Sequence, residues 1–162
     1  MPVYSLDFSE NLIRAAQAVN DNGDDSVDAM RTVLYLSLLS CEISLKALLE
    51  KAGMPITEIR NRSHNLERLL MDLGRCEVEE EVANGVRKWV PAMRIRSKVI
   101  TINEAQLTIG DFLEGESQGA SRYPNEVRYG EHLYHYPPEA SLNAASTILH
   151  WAREKWDIIR FP

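Results

Sequence analysis

Cysteine is scarce in this chain. Its 162 residues include two, Cys41 and Cys76, with no C-x-x-C spacing. That argues against a disulfide framework or a cysteine zinc site, and makes a reducing cytoplasm the expected home. Positive charge is also short: 18 Lys and Arg stand against 24 Asp and Glu, a net charge of −6. Such a chain does not coat nucleic acid through bulk charge, so any nucleic-acid contact needs a local basic patch. No run approaches the roughly eighteen uninterrupted apolar residues of a membrane span. The opening Met1-Pro2-Val3-Tyr4-Ser5-Leu6-Asp7 lacks the basic start and apolar run of a signal peptide. No membrane partner is therefore expected. Aromatics are only 7% of the residues, which makes any crowding of them informative. There is no internal repeat and no low-complexity tract.

What is present is ordinary for a soluble globular protein: 44% hydrophobic and 26% charged residues. The length suits one domain, residues 1–162, which buries roughly two-thirds of its unfolded surface. Helical periodicity runs through most of it. Asp7 to Val19 reads as a first helix, with Asp7 and Glu10 in a capping-box pattern. Asn20 to Asp25 breaks it. Asp21, Asp24, Asp25 and Asp28 lie close together but lack the alternating order of a calcium loop, so a turn and a helix cap are expected and no metal site.

Ser26 to Ala52 reads as a long helix, apolar around most of its circumference, which belongs in the middle of a bundle. Arg31, Tyr35, Glu42 and Lys46 fall near one face. Glu42 and Lys46 are four apart with the acid first, the favourable order for an ion pair. They suit a partly buried pair that orients the helix, or the lining of a polar site. Cys41 sits in the apolar stripe, where a thiol is inert. Gly53 stops the helix and Pro55 prevents its continuation. Ile56 to Arg62 is a connector. Ser63 is read as the cap of a third helix with Leu66, Leu69, Leu70 and Leu73 as its core face. His64 falls in its first turn, as a structural histidine, a general acid/base or an RNA contact.

Glu77 to Lys98 is read as a further helix, acidic at its start and basic at its end, which complements a helix dipole. Its stripe is Val78, Val82, Val86, Trp89 and Met93, and Pro91 should kink it. Residues 101–137 have no clear period. They hold a Gly/Ser loop at 115–121 and a crowd of Tyr, His and Arg at 122–136. A long segment of this kind in a compact domain is usually functional or mobile. Pro138 opens a last helix to Ile159. The expected fold is all-α: an up-and-down bundle of four to five helices with a long irregular segment before the last.

Three motifs in order carry a family resemblance. They are Leu34 to Gly53 with Glu42 and Leu45-Lys46-Ala47-Leu48-Leu49, then Ser63-His64-Asn65-Leu66, then Arg122-Tyr123-Pro124 before an alanine-rich last helix. Together they resemble the HEPN superfamily of small helical-bundle proteins. The resemblance implies a helical bundle, a homodimer, and a setting in toxin–antitoxin, defence or RNA-processing systems, with RNA, a nucleotide or a cognate antitoxin or other partner protein as the binding partner. No cofactor is implied. Many members are metal-independent ribonucleases with an Arg, four to six residues, then a His. Arg128 and His135 have that spacing here.

Two readings follow. In the first, the chain is a HEPN-like binding module whose groove uses Glu42, Lys46, His64, Arg122, Tyr123 and Tyr136. In the second, it is an endoribonuclease in which Arg128 stabilises phosphate charge and His135 moves the proton, with Tyr134 or Tyr136 on a base. The first is preferred, because Arg128 and His135 precede the last helix rather than sit in it. A blander third reading is a helical domain whose whole role is assembly.

Overall fold

A computed structural model of the chain describes residues 1–22, 25–102, 105–114, 123–128 and 137–162. The fold is predominantly helical but not all-α, and so corrects the bundle expected from the sequence. Its elements are α1 (Leu6–Asp21), α2 (Val27–Ala52), α3 (Ile56–Asn61), α4 (Leu66–Arg75), β1 (Glu77–Ala83), β2 (Val86–Pro91), a 3-10 helix (Ala92–Ser97), β3 (Val99–Ile102), β4 (Ala105–Thr108), α5 (Ile109–Glu114), α6 (Asn125–Arg128), α7 (Pro138–Lys155) and β5 (Ile159–Arg160).

The central helix is α2, packed between α1 and α7. Small residues allow the close approach. On the α1 side Ser9, Ser40 and Ser44 are fully buried. Ser9 Oγ lies 2.6 Å from both Ser40 Oγ and Ser44 Oγ, so the hydroxyls satisfy one another. From α7, Ala140, Ala144, Ala145 and Ala152 are buried in the same core. Below α2, Ile59 of α3 and Leu66, Leu69, Leu70 and Leu73 of α4 complete it, with Phe112 and Leu113 of α5. Gly53 ends α2 in the left-handed region at φ 103°, and Met54 N bonds back to Leu49 O. By length and composition α2 could cross a membrane, but 72% of its most apolar window is buried inside the protein.

The segment read as a helix at 77–98 is a hairpin followed by one 3-10 stretch. Asn84 and Gly85 both take positive φ, 48° and 78°, as a tight hairpin turn requires. Glu80 faces Lys88 and Glu81 faces Arg87 across the ladder. The acidic start and basic end therefore complement each other between strands rather than along a helix dipole. Pro91 ends the strand. The sheet runs β2-β1-β5, and β3 and β4 form a separate two-stranded ribbon.

Smaller corrections concern caps and ends. Ser5, not Asp7, caps α1, its Oγ accepting from Phe8 N. Asn65, not Ser63, caps α4, its Oδ1 accepting from Arg68 N. His64 therefore precedes the helix. The connector 56–62 is largely the short α3, and α7 stops at Lys155, leaving Ile159–Arg160 as a strand. The stretch expected to be irregular holds the end of β3, then β4, α5 and α6.

Candidate functional site

Glu42 and Lys46 are one turn apart on α2, and the helix points both at the same interior spot. Only 3% of Glu42 and 6% of Lys46 are exposed. Lys46 Nζ donates to Glu42 Oε1 at 2.7 Å and stands 5.5 Å from the centre of the Tyr4 ring. The other carboxylate oxygen, Oε2, accepts from Tyr123 Oη and meets His64 Nδ1 at 2.9 Å. Burial pushes the Glu42 carboxyl up, but the hydrogen bonds from Lys46, Tyr123 and His64 outweigh it and hold the group below its ordinary value. The carboxylate is therefore ionised and can only accept, which places the proton of His64 on Nδ1. Burial and the bond to Glu42 push the Tyr123 phenol up, so it stays a donor.

His64 reaches Glu42 because the chain turns sharply after α3. Ser63 takes φ 51°, and Asn65 N closes the turn on Arg62 O at 3.0 Å. Arg62 anchors the turn to α4 through Asp72. With Nδ1 engaged by Glu42, Nε2 is the ring nitrogen left for the cavity that His64 lines.

An aromatic row continues outward. The Tyr123 ring lies 6.1 Å from the His64 ring, edge-on, and 5.8 Å from the Tyr35 ring. Arg128, on α6, donates from Nε and Nη2 to Tyr35 Oη at 3.1 and 2.9 Å.

In front of this row lies an open cavity of about 520 Å³. Its wall runs from Asn61 through His64 to Arg68, and from Tyr123 through Asn125 to Arg128. Among the described residues, Arg62, Arg68 and Arg128 line it, against one acid, Glu67. The first turn of α4, at the positive end of the helix dipole, forms part of the wall. A locally cationic cavity on an acidic chain suits an anionic ligand.

Of the residues expected at the site, His64 and Tyr123 line this cavity. Arg128, expected in catalysis, lines it too. Glu42 and Lys46 do not; they stand behind the wall and hold His64 and Tyr123 in place. His135, Arg122, Tyr134 and Tyr136 lie outside the described residues. Two contributors escaped the sequence reading, Arg68 and Asn125. Arg68 has a visible signal, since it falls on the polar side of α4 opposite Leu66, Leu69 and Leu70. Asn125 has none.

Cys41 and Cys76 are both buried, which pushes each thiol up to about 12. Neither is a nucleophile at neutral pH. Among the described residues no three His, Cys, Asp or Glu side chains come together as a metal site. Ser26 caps α2, its Oγ accepting from Ala29 N, and Asp28 pairs with Arg31.

No family model, no curated protein and no solved structure matches the chain.

Proposed function

We propose that the chain is a HEPN-like helical module that binds a phosphate-bearing ligand, a nucleotide or an RNA strand, in the cavity in front of His64. One observation carries this reading: Arg68, Arg128, His64 and the first turn of α4 converge on one open cavity in a chain of net charge −6. Arg128 and Arg68 would bind phosphate oxygens by charge-assisted hydrogen bonds, and His64 and Tyr123 would offer ring surfaces. The homodimer, the cytoplasmic setting, the toxin–antitoxin or defence-type context and a cognate partner protein rest on the resemblance of the α2, His64-Asn65-Leu66 and Arg122-Tyr123-Pro124 motifs. The test is fluorescence anisotropy of a labelled single-stranded RNA, with unlabelled nucleotide as competitor. Arg68→Ala and Arg128→Ala should each weaken binding about tenfold or more while leaving the melting temperature near wild type. Unchanged affinity in both variants would sink the reading.

A second reading has its own support. A buried ionised carboxylate on His64 Nδ1 is the arrangement that orients an imidazole as general base. Arg128 lines the same cavity. In metal-independent RNA cleavage, Nε2 would take the 2′-OH proton as O2′ bonds to phosphorus. The 5′-oxygen would leave and take a proton from solvent. The assay is an RNA pool in EDTA with wild type, His64→Ala and the Arg128→Ala, His135→Ala double variant. Cleavage lost in His64→Ala assigns the base to His64, and cleavage lost only in the double variant assigns the chemistry to the Arg128 and His135 pair. No cleavage by wild type leaves the binding module standing alone.

A further inference from the structure

Lys46 stands between two carboxylates. Glu42 is one turn before it on α2 and Glu50 one turn after, so the three side chains follow one face over about 12 Å of helix. In the structure Lys46 pairs with Glu42 at 2.7 Å. Glu50 is occupied otherwise. Its Oε1 accepts from Val3 N at 2.8 Å, and its Oε2 accepts from Val3 N and Tyr4 N, both at 3.0 Å. These donors are neutral, and the next lysine, Lys51, pairs with Asp157. The segment just before α1 therefore engages a carboxylate that is spaced to take Lys46. The same segment sets the Tyr4 ring over Lys46 Nζ, 5.5 Å from the ring centre. It runs along the surface: Pro2 and Val3 are exposed and Tyr4 is half-buried.

We propose that residues 2–4 are a strap that decides which carboxylate Lys46 serves, and through Glu42 regulates the His64 site. With the strap down, backbone N–H groups occupy Glu50 and Lys46 goes to Glu42. Lys46 on Oε1 then fixes the plane of the Glu42 carboxylate and leaves Oε2 to Tyr123 and His64. With the strap lifted, Glu50 is a bare carboxylate one turn away, and the cover of Tyr4 over Lys46 is gone. Lys46 divides between the two acids. The Glu42 carboxylate is then free to turn, and Tyr123 and His64 lose the fixed acceptor that holds them at the cavity wall. Two discrete partners for one buried lysine make the two-state element that coupling between a surface segment and an interior site requires. The effect on a ligand rests on the reading that the cavity in front of His64 is the working site.

The test is an NMR titration of the Glu42 carboxyl carbon, which needs no ligand. Lys46, Tyr123 and His64 are the groups that face Glu42. Against burial, which pushes the Glu42 carboxyl up, the Lys46 bond is the largest of those that pull it down. Val3→Pro, Tyr4→Pro removes both N–H donors and the ring at constant chain length, and should move the Glu42 titration up. Adding Glu50→Gln removes the competing charge and should bring it back to the wild-type position. If the strap only shields Lys46 from water, the triple variant stays as shifted as the double, and the proposal falls. It falls equally if the double variant leaves the titration where it was. Should the double variant fail to fold, Val3→Pro alone takes the donor shared by both Glu50 oxygens. It should give a smaller shift of the same sign, with the same rescue. Labelled RNA then reads the site: affinity should drop about fivefold in the double variant and recover in the triple. Recovery is read against Glu50→Gln alone, which carries the same change of charge. RNA affinity that ignores a shifted Glu42 overturns the regulation of the cavity. No RNA binding by wild type overturns the cavity reading instead, and the titration by itself decides the strap.

Discussion

Glu42 is the residue on which the site depends, although it never touches the cavity. It is buried with its charge intact because Lys46, Tyr123 and His64 all bond to it. Removing that charge strands Lys46. Glu42→Gln should cost about 3–5 kcal/mol, read from the urea midpoint, since breaking one partner of a buried pair leaves the other uncompensated. A Glu42→Gln, Lys46→Met chain should recover part of that loss. The pH dependence follows from the direction of the Glu42 shift. Its folded carboxyl sits below the ordinary 4.5, so the unfolded chain takes the proton first. The contribution is complete above about pH 4.5 and is lost as pH falls through the folded value. Urea titrations from pH 7 to pH 3 should show the gap between wild type and Glu42→Gln closing in acid. A gap that stays constant would mean Glu42 is not held ionised by its partners. The sequence marked Glu42, Lys46 and His64 by spacing on α2 and by a His-Asn-Leu helix start. It could not say that the pair stands behind the wall. That depends on Tyr123, which lies 81 positions away and has no periodic relation to α2.

At the scale of elements, α2 was readable because its apolar stripe, its Gly53 stop and Pro55 all agree. The hairpin was not, because Val78, Val82 and Val86 recur at steps of four, which satisfies a helix as well as same-face positions of a strand. The deciding signal was Asn84-Gly85, two residues that accept left-handed backbone where most others do not. That turn is testable. A Cβ at Gly85 meets nothing within 4 Å, so Gly85→Val is strained only by its φ of 78°. The cost should be about 1–2 kcal/mol. Residues 79–89 are mostly exposed and the strand β2 is a sheet edge. The strain should therefore appear as faster amide exchange across β1 and β2, with little change in the melting of the helical core. Gly53→Ala should behave in the opposite way. It strains a cap at φ 103° with Met54, buried in the core, immediately beyond it, so the whole molecule should melt earlier. Equal effects of the two on core melting would contradict the placement of the hairpin outside the cooperative core.

Across the whole molecule, the charge distribution decides where an anion can bind. A net charge of −6 repels a polyanion at long range, so affinity must come from a local cluster of cations. The basic run Arg87 to Lys98, with Trp89 in it, reads from the sequence more as a solvated face than as a nucleic-acid track. In the fold Arg87, Arg94 and Arg96 pair with Glu79, Glu80 and Glu114, and Trp89 is covered by Arg160 at 4.1 Å. The cavity in front of His64 gathers Arg68 and Arg128 against one acid among the described residues. Salt dependence separates the two surfaces. RNA affinity should fall with rising salt, and each phosphate contact removed should lower the slope of log K against log salt by about 0.7 for a single strand. Arg68→Ala should therefore flatten the slope by about that amount. Lys88→Ala, on the exposed hairpin, should leave slope and affinity unchanged. The reverse result would move the RNA track to the hairpin and leave the His64 cavity for a small ligand or for none.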